Sequence, residues 1–191
     1  MLSGYAVRPP WNVAGVDYHV GIPSGTTLTP WRSASAANAS FNLTSGRVSC
    51  SSAGATVTIN ALDFSPASGV SPYIYDTNNC SWTISNSKFG CPGAYANVIA
   101  DHVTLIANQF DQNGCSGSPS SFITGNTFVL KYNWFWRGYQ HVLESGGPGA
   151  IDYRFNLIDD MVPGGSASGQ HEDDNQDDPE NRHRCLLSSG L

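Results

Sequence analysis

Charge and long apolar runs are both scarce in this chain of 191 residues. Only 13% of residues are charged and the formal net charge is −6. That balance argues against a broad nucleic-acid surface. No run of eighteen apolar residues occurs, so no membrane-spanning helix is expected. Helix-favouring runs of Ala, Leu, Glu and Lys are almost absent. No CxxC pair occurs among Cys50, Cys80, Cys91, Cys115 and Cys185, which disfavours a zinc ribbon or a thioredoxin-type site. The opening MLSGYAVRPPWNVAG lacks the charged start and apolar core of a secretory leader. We expect a mature or truncated chain with an added Met, from a secreted or cell-surface protein.

What the chain has instead is Ser, Thr, Asn and Gly, the balance of β-rich secreted proteins. The five cysteines are odd in number, so at least one stands outside any internal pairing. Cys80–Cys91 or Cys91–Cys115 could bridge neighbouring turns, and small buried thiols are the alternative.

An apolar-Asn-x-Phe phrase recurs. Ile84, Asn86 and Phe89 form a loose copy; Ile106, Asn108 and Phe110 a tight one. Tyr132, Asn133 and Phe135, then Phe155, Asn156 and Ile158, follow. The closing residues 89, 110, 135 and 158 are separated by 21, 25 and 23 positions, and Leu62-Asp63-Phe64 is an earlier candidate. A shorter strand precedes each phrase, at Tyr73–Tyr75, Asn97–Ile99, Ser121–Ile123 and His141–Leu143. One such unit cannot bury its own apolar face, whereas stacked units can. The fixed leucines of a leucine-rich repeat are missing. The pattern predicts an all-β right-handed parallel β-helix of about five coils. The recurring aromatic fills the coil interior. The recurring Asn serves buried bends, by hydrogen bonding along the axis and by tolerating left-handed dihedrals. Residues 1–40 are expected to cap the N-terminal mouth, 41–176 to form the β-helix, and 177–191 to be a polar tail, truncated or foreign. An uncapped end would allow a homo-oligomer.

The segments VTINALDFS (57–65), WTISNSKF (82–89), LIANQF (105–110) and YNWFW (132–136) resemble the pectate-lyase-like β-helix superfamily. RPPWNVAGVDYHVGIPSGTTL (8–28) is similar to the N-terminal segment of uncharacterised bacterial β-helix repeat proteins. The resemblance implies a carbohydrate-directed role, with a polysaccharide or oligosaccharide as partner. For a lyase it implies Ca²⁺ held by acidic residues and an Arg or Lys that removes a proton from a uronate.

Register relates the chemistry-bearing residues to one another. Asp76, Asp101 and Asn126 are spaced by 25 and 25, so stacked carboxylates at Asp76 and Asp101 could hold Ca²⁺. Asp and Asn are also ordinary turn residues. Lys131 and Arg154 each lie four residues before a closing apolar residue. On neighbouring coils they would suit a carboxylated sugar or act in proton abstraction. Asp152 could pair with Arg154, which a solvated salt bridge explains equally. Hydrolysis needs two carboxylates roughly 5–9.5 Å apart. Glu144 with Asp101, or Asp159 with Asp160, could supply them. The neighbours of Asp159-Asp160 do not match the polygalacturonase pattern. His141 lies on the short strand with Glu144, and stacking near His171 would allow acid–base chemistry. HEDDNQDDPE (171–180) fails the EF-hand spacing, with Asp178 at the glycine position. GSASG (165–169) has Ala where an esterase needs Ser. Trp134 and Trp136 flank Phe135, so both indoles point outward if Phe135 points in. With Tyr139 and Asp152 they form a candidate sugar platform.

The expected function is cleavage of an acidic polysaccharide by a lyase or hydrolase using Lys131, Arg154, Asp101, Glu144 and His141. The alternative is a non-catalytic glycan-binding or structural surface β-helix; a carbohydrate esterase is third. Cations and carboxylates clustered in one groove favour the enzyme. Scattered ones, with aromatics in a row, favour the binder.

Overall fold

A computed structural model describes residues 18–115, 121–138, 142–144 and 149–159, side chains at 142–144 excepted. Before the repeats come β1 (Thr29–Pro30), a 3-10 turn at Trp31–Ser33 and β2 (Ala39–Phe41). Five levels of three strands follow. The first comprises β3 (Arg47–Cys50), β4 (Thr56–Asn60) and β5 (Leu62–Phe64). The second comprises β6 (Tyr73–Tyr75), β7 (Ser81–Ser85) and β8 (Lys88–Phe89). The third comprises β9 (Ala96–Ile99), β10 (His102–Ile106) and β11 (Gln109–Asp111). The fourth comprises β12 (Ser121–Gly125), β13 (Thr127–Lys131) and β14 (Trp134–Trp136). The fifth comprises β15 (Val142–Glu144), β16 (Ile151–Arg154) and β17 (Leu157–Asp159).

Corresponding strands of successive levels pair in parallel and build three sheets, with β2 added antiparallel to β3 at the edge of the first. The first runs β2-β3-β6-β9-β12-β15, the second β4-β7-β10-β13-β16, and the third β1-β5-β8-β11-β14-β17. This is a parallel β-solenoid of about four full turns, all-β as the periodicity predicts. Alternation explains the strands. In β4 and β10 the inward Val57, Ile59, Val103 and Leu105 are buried, and their neighbours face outward.

One interior column is aromatic. Phe64, Phe89, Phe110 and Phe135 stack with centroids 4.8, 4.6 and 4.9 Å apart. Ile158 follows opposite Phe135. These spacings match the strand-to-strand repeat, so one inward choice fills every level.

Each corner between the second and third sheets has a fixed grammar. Ala61, Asn86, Ala107, Tyr132 and Phe155 adopt positive φ between 51° and 61°. The next residue turns inward. Asn108 Oδ1 accepts from the Ser87 N–H, Asn133 Oδ1 from the Asn108 N–H and Asn156 Oδ1 from the Asn133 N–H, at 2.8–2.9 Å. Their amide groups donate to Ile84, Leu105 and Leu130 carbonyls of the level below. The buried ladder satisfies backbone groups that the bend exposes. The corner departs from the repeat phrase in two ways. Ser87, not Asn86, occupies the second-level rung, and its hydroxyl accepts from Leu62 N–H. The left-handed residue precedes the ladder Asn rather than being it.

Two disulfides tie adjacent levels, Cys50–Cys80 and Cys91–Cys115. The second is one of the two pairings weighed from sequence. Cys80 pairs with Cys50 instead of Cys91, and Cys185 lies outside the described residues. Each closed loop of 30 or 24 residues contributes about 3 kcal/mol.

The segment before the repeats divides. β1 extends the third sheet beyond β5, and Trp31, buried to 1% exposure, donates its indole N–H to Ser65 O. Further back, Gly21 N–H donates to Tyr132 O at 2.7 Å, and Tyr18 packs edge-on against Tyr132 and Phe155. This part therefore lies along the corner of levels four and five.

Candidate functional site

Lys131 ends β13 and Arg154 ends β16, and the register sets them opposite each other on adjacent levels. Both face outward on the second sheet. Asp152, two residues before Arg154 on the same face, bridges both cations. Arg154 grips its carboxylate with Nε and a terminal nitrogen, and Lys131 Nζ is 3.0 Å away. Hydrogen bonds from Arg154, then Lys131, hold the Asp152 carboxyl down at about 2. The same carboxylate pushes the Arg154 guanidinium up.

Around the corner the surface turns aromatic. Tyr132 and Phe155, the left-handed residues of levels four and five, stack with centroids 5.1 Å apart at 10°. Their positive φ swings the side chains out, while Asn133 and Asn156 turn in. The Tyr18 edge completes this cluster, and burial, then the neighbouring Tyr132, pushes the Tyr18 phenol up. On the third sheet Phe135 is buried and the flanking Trp134 and Trp136 are half-buried on the outward face, as alternation predicts, with the Trp134 indole nitrogen itself shielded from solvent. Their rings lie 6.0 Å apart at 29°, and Arg137 sits 5.4 Å over Trp136. Gly21 packs against Trp134, where a Cβ would meet Trp134 Cβ at 3.3 Å. Lys131–Arg154, Tyr132–Phe155 and Trp134–Trp136 thus follow one another across a single corner.

The other candidates lie elsewhere. Asp101 occupies the turn before β10, at the opposite end of the second sheet from Lys131. Five strand residues separate those ends, about 16 Å. Asp101 Oδ1 accepts from Asn126 Nδ2 at 3.1 Å, so these two stack. Asp76 directly follows Tyr75, whose partner is Ile99, which sets it level with Ala100 rather than Asp101. Its carboxylate accepts from Asn78 N–H, Cys80 N–H and Trp82 Nε1. That is the chemistry of a turn cap, whereas Ca²⁺ takes six to eight oxygens. Glu144 is described only by its backbone, opposite Gly125. His141, Tyr139, Asp160, His171 and the 171–180 segment lie outside the described residues.

Tyr132 and Phe155 stand in the phrase where an inward residue is expected, so the sequence pattern does not mark them as surface aromatics. The signal was present: the residue before a bend Asn is where the chain must turn left-handed. Among the described residues no helix is long and apolar enough to cross a membrane. No family model, curated protein or solved structure matches this chain.

Proposed function

We propose that this chain is a non-catalytic β-solenoid module that binds an acidic polysaccharide or oligosaccharide across the corner of levels four and five. What carries the reading is the contiguity there of the Lys131–Arg154 pair, the Tyr132–Phe155 stack and the outward Trp134–Trp136 pair. Sugar rings stack on flat aromatic faces, and their carboxylates pair with guanidinium and ammonium groups. In a chain of net charge −6, an anionic ligand needs such a local cationic edge. The cleavage reading draws less support. The single Asp152 carboxylate engages both cations and leaves one positive charge over, and Asp101 lies about 16 Å along the strand from Lys131. That separation keeps Asp101 from working together with the cations.

Calorimetric titration with uronate oligosaccharides tests the reading. Trp136→Ala, which removes a surface ring, is expected to weaken binding on the order of tenfold. Asp152→Ala, which frees two cations, is expected to strengthen binding of acidic but not neutral glycans. Equal affinity of the Trp136 variant and the parent would overturn the assignment.

A further inference from the structure

Between levels one and two, Cys50, Cys80 and Asp76 bring one potential ligand atom each to within 4.8 Å of one another. Both cysteines are buried, at 3% and 0% exposure. The Ser52 carbonyl oxygen lies 3.1 Å from both sulfurs. The Asp76 carboxylate is held in place by Asn78 N–H, Cys80 N–H and the indole of buried Trp82. Those three donors leave about one of its four lone-pair positions open. Two sulfurs, a fixed carboxylate and a carbonyl therefore lie close together at this junction. No comparable set surrounds Cys91–Cys115 among the described residues.

We propose that this junction is a redox-gated zinc site. In the oxidised chain the two sulfurs are bonded to each other. A thiol reductant supplies two electrons and two protons, breaking the S–S bond and leaving two thiols while two reductant sulfurs join. Zn²⁺ then displaces those two protons and takes Cys50 Sγ, Cys80 Sγ, the Asp76 carboxylate and the Ser52 carbonyl as four ligands. Thiolates select a soft d¹⁰ ion over Ca²⁺ or Mg²⁺. Tetrahedral Zn–S bonds of about 2.3 Å set the sulfurs roughly 3.8 Å apart. The Cα atoms are 6.5 Å apart, so side-chain rotation alone can open the gap. The junction between levels is then held by a metal where it was held by a covalent bond.

The test uses the full chain reduced with a phosphine, which does not compete as a thiol would, and titrated anaerobically with Co²⁺. One equivalent should raise a thiolate-to-cobalt charge-transfer band and the visible band of a tetrahedral site; Zn²⁺ should bleach both. Cys91→Ser/Cys115→Ser should keep the bands, Cys50→Ser should abolish them, and Asp76→Asn should weaken Co²⁺ binding about tenfold or more. In parallel, Zn²⁺ should protect Cys50 and Cys80, but not Cys91 and Cys115, from alkylation mapped by mass spectrometry. This second readout does not depend on any variant folding. Bands that survive Cys50→Ser, or equal alkylation of all four cysteines with Zn²⁺ present, would overturn the proposal. So would a reduced chain that unfolds and takes no cobalt.

Discussion

Asn133 shows how much one side chain carries. Its Oδ1 accepts from both the backbone and the amide of Asn108, and its Nδ2 donates to Leu105 O and Asn156. Removing it leaves a buried N–H and a buried carbonyl unpaired. At about 1–3 kcal/mol for each, Asn133→Ala should cost about 3 kcal/mol in urea unfolding. Asn86→Ala should cost about 1 kcal/mol or less, because Ala61 and Ala107 already occupy the same left-handed corner. Equal losses at the two positions would contradict the ladder. Composition alone made these two asparagines look alike. Only the strand pairing reveals that one turns inward and the other turns the chain. Asp152 is a second residue-scale test. Its pKa is lowered on folding, so the stability it contributes is present above the unfolded carboxylate value near 4. It is lost as pH falls towards about 2. An NMR titration of Asp152 should show a midpoint near 2 in low salt, shifting upward in Lys131→Ala and at high ionic strength.

At the scale of the element, the inward aromatic column decides cohesion between levels. Phe110 stacks between Phe89 and Phe135 and also meets Phe122 edge-on. Phe110→Ala should cost about 3–5 kcal/mol, whereas Phe110→Leu, which keeps most of the volume, should cost about half that or less. Gly125, at the end of β12, faces a different constraint. A Cβ there would lie 1.9 Å from Ala100 O. Gly125→Ala must therefore push levels three and four apart, and loss of amide protection in β9 and β12 would report it. The strands themselves were legible from sequence, since period-two alternation and the steps of 21, 25 and 23 both follow from stacking coils. The disulfide at Cys50 was not. Cys50 and Cys80 are 30 residues apart in sequence and meet only because the first sheet folds its levels into register.

For the whole molecule, the question is which face works. Register arithmetic from the sequence brought Lys131 beside Arg154 and set the two indoles outward on either side of Phe135. It could not bring the cations and the aromatics together, because their meeting depends on the corner at Tyr132–Asn133 and on which of those two residues turns in. It also stacked Asp76 over Asp101, whereas the strand pairing sets Asp76 level with Ala100 and leaves both away from that corner. Recognition of acidic glycans without turnover is therefore expected. The most direct measurement incubates the purified chain with polyuronates, with Ca²⁺ and with EDTA, while following unsaturated uronate absorbance and new reducing ends. Retention on an immobilised acidic glycan is recorded on the same preparation. Retention that Trp136→Ala weakens on the order of tenfold, with neither product above the blank, is the result expected. A Ca²⁺-dependent rise in unsaturated product, lost in Lys131→Ala or Arg154→Ala, would contradict it and make this corner a lyase site.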